Sequence, residues 1–269
     1  MIAMTMYQVD AFADRPLAGN PAAVLILDQP LDERLMQSIA AEYNLAETAF
    51  VVREGEGWAI RWFTPSHEAA FCGHATLASA HVLHSAYGVP LPVRFGTRKV
   101  GDLVVARLPD GRYEMDLPRF DPAPLDPPAE FARIFPDGWV NAVRNFENYF
   151  VELPTAEAVR TFRPDLPLIA GFGGIGLAIT AAGGATHRGT PVDFTSRYFW
   201  PGGGIDEDPV TGSTHATLTP YWAEKLGKTA LKAFQASARG GQIDCALAGG
   251  RVKLTGSAVT FMRATIFPV

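Results

Sequence analysis

Residues 68–88 read EAAFCGHATLASAHVLHSAYG, and residues 207–227 read EDPVTGSTHATLTPYWAEKLG. Each stretch opens with glutamate, runs four residues to a glycine, and continues as a mostly apolar segment that closes on glycine. The segments between the glycines have helical length, and a closing glycine is the residue type that ends helices in the left-handed conformation. In HATLASAHVLHSAYG the long side chains lie on several faces with small residues between them, which predicts a helix buried nearly all round. In the glycine register Cys72 matches Thr211, and His74 matches Ser213. The string HATL also recurs, at His74 and His215, but two residues out of that register. The glycine register is preferred because it aligns the two loop-to-helix junctions. One such junction in each half predicts two similar domains facing each other.

Outward from these stretches, Thr5–Phe12 alternates as a strand, 13–20 is a loop and Ala22–Leu27 is a second strand. Leu35, Met36, Ile39, Ala40 and Tyr43 fall at helical spacing, with Asp32 as N-cap. TAFVV and WAIRWF read as strands, and short strands follow Gly88 to about Leu117. PRFDPAPLDPP, residues 118–128, holds five prolines in eleven residues and reads as a stiff linker. It divides an N-terminal domain, 1–117, from a C-terminal domain, 129–258. The second half has strands near Tyr149–Leu153 and Leu177–Thr180, a helix from about Thr214 to Leu226 that Pro220 can kink, and strands to the end.

The 269 residues fit one large domain or two of ordinary size. The net charge of −5 and the lack of any basic run exclude a nucleic-acid footprint. Two cysteines, Cys72 and Cys245, make no disulfide framework, so a reduced, cytoplasmic setting is expected. The opening MIAMTMYQVDAF lacks the basic region of a signal peptide. Leu166–Thr186 is 21 residues without a charge, but its six glycines and its proline fit buried strands with a turn at Gly183-Gly184 better than a membrane span.

Glu47 is the only charge in YNLAETAFVV, residues 43–52. A carboxylate opening an apolar strand is costly unless it is exposed or used. If buried, it suits general acid–base chemistry; an exposed strand-end glutamate is the plain alternative. His74 follows Gly73 at a helix start, where backbone amides bind carboxylates or oxyanions. A packed, hydrogen-bonded histidine is its alternative. In GIDEDPVTGSTH, residues 204–215, Gly212 and Ser213 open the second helix, and their amides can grip a carboxylate. Asp208 before Pro209 can bind substrate or simply form an Asp-Pro turn. Cys72 can be read as a nucleophile, as a racemase thiol or as a packed core thiol. As a metal ligand with His74, His81 and His84 it lacks a completing carboxylate, so no metal site is expected. GFGGIG at 171–176 matches a dinucleotide-binding pattern, but the stretch after it is short and strand-like, so that reading is set aside.

DAFADRPLAGNPAAV, NLAETAFV, IRWFTPSHEAAFCGHATLASAHVL, DFTSRYFWPGGGIDEDPVTGSTH and VTFMRATI, in that order, resemble the PhzF family of phenazine-biosynthesis isomerases from about Tyr7 to Ile266. The resemblance implies an α+β fold of two pseudo-symmetric, diaminopimelate epimerase-like domains. Each wraps a curved sheet around a central helix, and the last strand, 259–269, returns to the first domain. It implies an active site between the domains, a homodimer, and no cofactor. Residue by residue, it places the family's catalytic glutamate, histidine and aspartate on Glu47, His74 and Asp208. Its serine falls on Ser213, and its helix-opening glycines fall on Gly73 and Gly212. Related racemases use one cysteine from each domain; Cys72 matches the first, while Val210 or Thr211 stands at the second.

The expected function is therefore a proton-shifting isomerase acting on a small carboxylate-bearing substrate, similar to the enzyme that acts on trans-2,3-dihydro-3-hydroxyanthranilate. An amino- or hydroxy-acid racemase is the first rival. A non-catalytic binding or interaction protein on the same scaffold is the second.

Overall fold

The computed structural model describes residues 3–267. The chain divides into two units, Met1–Asp116 with Thr255–Val269 and Leu117–Leu254. The proline-rich segment expected as a linker is thus counted within the second unit, where Ala123 and Pro124 pair with Arg144 and Val143.

In the first unit the elements are β1 Met4–Ala11, β2 Asn20–Leu27, α1 Glu33–Tyr43, β3 Glu47–Glu54, β4 Gly57–Phe63, β5 Glu68–Ala69, α2 Gly73–Tyr87, β6 Val93–Gly96, β7 Leu103–Arg107 and β8 Tyr113–Pro118. Asp32 caps α1 as its spacing predicts, its side chain accepting from the Arg34 amide. β2 and β3 run parallel, and β4 returns antiparallel to β3. β4 then pairs antiparallel with β5 and parallel with β6. The chain's closing strand, Ala258–Ile266, lies antiparallel to β1. The first unit thus gains a strand from the far end of the sequence.

Helix α2 packs against β1, β2, β3, β7 and the closing strand. Every residue from Gly73 to Ala80 is buried, and the small residues of HATLASA are what allow strands to approach on several sides. Gly88 ends the helix at φ +69°, its amide bonded to the His84 and Leu83 carbonyls.

The second unit contains β9 Ala123–Pro124, α3 Phe131–Ile134, β10 Asn141–Arg144, β11 Asn148–Glu152, α4 Ala156–Thr161, α5 Leu166–Ala170, β12 Gly176–Ala182, β13 Phe194–Trp200, β14 Ile205–Asp208, α6 Gly212–Leu226, β15 Ala230–Gln235, β16 Gly241–Ala248 and β17 Arg251–Gly256. Its pairings repeat those of the first: β11 parallel to β12, β12 antiparallel to β13, β13 antiparallel to β14 and parallel to β15. Helix α6 packs on β15 and β16, and Trp222 donates to the Thr180 hydroxyl of β12 at 2.9 Å. Pro220 lies inside α6 and has no amide to offer the Ala216 carbonyl; the Phe120 amide donates to that carbonyl instead, at 3.2 Å.

One expectation is corrected. The sequence of Leu166–Thr186 predicts strands and a turn, yet Leu166–Ala170 is a short helix. Asp165, just outside the apolar run, accepts from the Leu168 amide, and Pro167 sits in the first turn, where its missing N–H costs nothing. A strand, not a helix, follows GFGGIG. No helix among the described residues is long and apolar enough to cross a membrane.

Candidate active site

Glu47 is the first residue of β3, and the parallel register sets it beside Ala22 of β2. Two residues before Ala22, Asn20 opens β2 and is fully buried. Gly19 precedes it at φ +63°; a Cβ there would stand 2.1 Å from the Ala11 carbonyl oxygen, so only glycine fits the turn. Gly73 and His74 are the first two residues of α2, and Cys72 is its N-cap in an extended conformation without a side-chain cap bond. The earliest amides of the helix therefore have neither an intrahelical acceptor nor a capping side chain.

These elements bring Glu47, His74, Cys72 and Asn20 together. His74 Nδ1 is 3.1 Å from Asn20 Nδ2. An amide nitrogen only donates, so Nδ1 accepts and the ring proton sits on Nε2. Nε2 lies 3.3 Å from Glu47 Oε2. Burial lowers the imidazole pKa to about 3. The pair is therefore a neutral N–H beside a carboxyl group, not a buried salt bridge. Cys72 Sγ lies 3.5 Å from His74 Nδ1. The Glu47 side chain keeps 13% of its surface exposed, against 5% for His74, so Glu47 is the more open of the two. A carboxylate so placed is chemically able to take a proton from carbon and return it.

Asp208, the last residue of β14, is buried, and its Oδ2 accepts the Thr211 hydroxyl at 2.5 Å. Thr211 is the N-cap of α6, again extended and again without a side-chain cap bond, so the Gly212 and Ser213 amides open the helix as Gly73 and His74 open α2. Gln235, at the end of β15, fixes this loop. Its Oε1 accepts from the Thr211 amide at 2.8 Å, and its Nε2 donates to the Asp208 carbonyl at 2.7 Å. One turn into α6, His215 donates from Nδ1 to the Thr211 carbonyl at 2.8 Å, and burial lowers its pKa to about 4.

The structure thus gathers Glu47, Gly73 and His74 in the first unit and Asp208, Gly212 and Ser213 in the second. Sequence reasoning missed Asn20 and Gln235. Asn20 is a lone polar side chain opening the apolar strand PAAVLIL, and that was the available signal; Gln235 closes ALKAF, where Lys232 already breaks the apolar run. His81 and His84 stand apart from the cluster: His81 bonds Tyr113 and Thr260, and His84 meets the Val89 carbonyl.

The sequence pattern of the phenazine biosynthesis-like (PhzC-PhzF) family matches residues 9–264. The chain belongs to that family. An uncharacterised isomerase of Pseudomonas aeruginosa is 47% identical over 256 residues, 95% of each chain. A PhzF-family crystal structure from Enterococcus faecalis superposes with a TM-score of 0.92 at 39% identity, covering 99% of this chain and 100% of that one. A hydroxyproline epimerase from Agrobacterium vitis shares the fold at a TM-score of 0.60 and 11% identity, over 98% of this chain and 92% of that one. The protein is an isomerase of the PhzF-like family with the α+β, diaminopimelate epimerase-like fold.

Proposed function

We propose that this isomerase works without a cofactor, moving a proton within a small, conjugated, carboxylate-bearing molecule of the dihydro-hydroxyanthranilate type. The 3.3 Å approach of the neutral His74 Nε2–H to the Glu47 carboxylate, at the start of a buried helix, carries this reading. Glu47 removes a proton from an acidic carbon and returns it at another position of the conjugated system. His74 sets its neutral Nε2–H beside the carboxylate and polarises the substrate. The Gly73 amide stabilises negative charge as it develops. In the second unit we assign Asp208 to the substrate's polar groups, and the Gly212 and Ser213 amides to its carboxylate. The protein is further proposed to be a cytoplasmic homodimer that engages neither nucleic acid nor membrane; its net charge of −5 supports the first exclusion.

The racemase alternative needs a second base to serve the opposite face of a stereocentre. Thr211 holds the position matching Cys72, and its hydroxyl is committed to Asp208. The test is incubation in deuterated water with dihydro-hydroxyanthranilate and with a panel of amino acids, followed by NMR. Deuterium at a shifted carbon is expected. Label at an α-carbon with loss of chirality overturns the reading in favour of racemisation. No label in any compound favours a binding protein.

A further inference from the structure

Glu47, Cys72 and His74 each present a donor atom, and the three atoms lie within 4.8 Å of one another. We propose that they form a binding site for a thiophilic divalent ion, Zn2+ above all, and that the bound ion silences the general base. The inhibitory half of this inference rests on the isomerase reading above; the binding half stands without it.

Tetrahedral zinc holds nitrogen, oxygen and sulfur donors at about 2.0–2.3 Å, which sets them roughly 3.3–3.6 Å apart. His74 Nε2 and Glu47 Oε2 already stand at 3.3 Å. Cys72 Sγ is 3.9 Å from the same nitrogen but 3.5 Å from Nδ1, so the thiol must swing to another rotamer to join an ion bound at Nε2. The donors come from a strand start, a helix N-cap and the first turn of the same helix, which keeps the three side chains neighbours in the folded chain. Thiolate with imidazole selects zinc over magnesium or calcium, whose preferred ligands are all oxygen.

The proton accounting is simple. The Cys72 thiol loses its proton to solvent on binding. The imidazole stays neutral, its ring proton passing from Nε2 to Nδ1. Asn20 then meets Nδ1–H with its amide oxygen in place of its NH2, the outer hydrogen bond that orients histidine ligands in zinc sites. One proton is released for each ion, and a water completes the four ligands. The matching positions of the second unit, Thr211 and Ser213, offer hydroxyls in place of thiol and imidazole.

The experiment uses the full chain, treated with chelator, freed of it and titrated with Co2+ as a spectroscopic stand-in for zinc. One Co2+ per chain, a thiolate-to-cobalt charge-transfer band in the near ultraviolet, and loss of the band on adding Zn2+ are expected. Cys72→Ser should remove the band and weaken Zn2+ binding more than about a hundredfold, beyond the 10–100-fold typical of an outer-shell partner. Cys245→Ala should leave both as they are, since that thiol lies elsewhere in the core; circular dichroism checks that each variant is folded. Absence of the band in the wild type, or its survival in Cys72→Ser, overturns the site. Where deuterium exchange into a substrate is found, Zn2+ should stop it over the concentration range in which it binds; exchange that continues with the ion bound overturns the inhibitory half. Ion binding without exchange into any compound supports the site and counts against the isomerase reading.

Discussion

Arg61 grips Glu68 with two hydrogen bonds of 2.7 Å just before helix α2, and Arg197 grips Glu207 at 2.7 and 2.9 Å just before α6. Each guanidinium lies over the phenylalanine two residues on, Phe63 at 5.0 Å and Phe199 at 4.9 Å. Each helix is 15 residues long and ends on a left-handed glycine. The frames match, but the chemistry does not. Thr48 pairs with Phe63 and Leu177 with Phe199, so Glu47 in the first unit matches Gly176 in the second. A Cβ on Gly176 would lie 2.1 Å from Tyr198 Oη and 2.6 Å from Asn148 Oδ1; the second unit has filled its carboxylate position with a Tyr198–Asn148 hydrogen bond of 2.8 Å. Conversely, Tyr198 pairs with Asp208 and Trp62 with Ala69, so the second unit carries its acid where the first has alanine. One scaffold, used twice, places its carboxylate once on each of two different strands. The strand-start site becomes chemical in one unit and structural in the other.

The largest break in this comparison is Glu47→Gln, which keeps the shape and removes the base. Turnover should fall by a factor of about 10²–10⁴, roughly 3–5 kcal/mol of barrier. Deuterium exchange measures it, and near-normal turnover would remove Glu47 from its role.

Acid should strain both helix starts. His74 and His215 are buried, with pKa values lowered by burial to about 3 and about 4; His81, on α2, is lowered to about 4 by burial first and by nearby His84 second. The unfolded chain protonates these rings near pH 6.5, so between there and the folded values it binds more protons than the native state. The stability is complete above about pH 6.5 and is lost as pH falls towards 4. Each ring contributes about 1.4 kcal/mol per pH unit in that window. His215→Leu should reduce the slope of unfolding free energy against pH by about that amount in urea titrations; an unchanged slope would mean His215 is protonated in the fold.

A smaller effect tests the filled site. Gly176→Ala pushes a methyl group into Tyr198 and Asn148 and should cost about 1–3 kcal/mol of stability. A cost below about 0.5 kcal/mol would show that the second unit still has room where the first places Glu47.

The repeat around Gly73 and Gly212 was legible because a buried helix opening and closing on glycine leaves a local pattern. Asp32 and Gly88 were legible for the same reason: caps are made within a few residues. Glu47 stood out as a lone charge in an apolar run. Asn20 did not, because its partner His74 is 54 positions away and only the packing of α2 on β2 brings them together. Gln235 escaped notice likewise, since the pairing of β13 with β15 is what carries it to Thr211. The helix at Leu166–Ala170 was missed because five apolar residues show no period, and the deciding signal was the cap one residue upstream at Asp165.

The smallest predicted effect concerns the N-caps. Cys72→Ala should lower turnover less than about tenfold, under about 1.4 kcal/mol of barrier. Cys72 Sγ shares His74 Nδ1 with Asn20, so removing the thiol leaves the amide to hold the ring with its proton towards Glu47. At the matching position Thr211 spends its hydroxyl on Asp208, so a mechanism that passes a proton between two N-cap residues has no second base. If Cys72→Ala instead costs a hundredfold or more while Glu47→Gln costs little, the base sits on the helix cap and not on the strand, and the first unit works as a racemase half-site despite the threonine in the second.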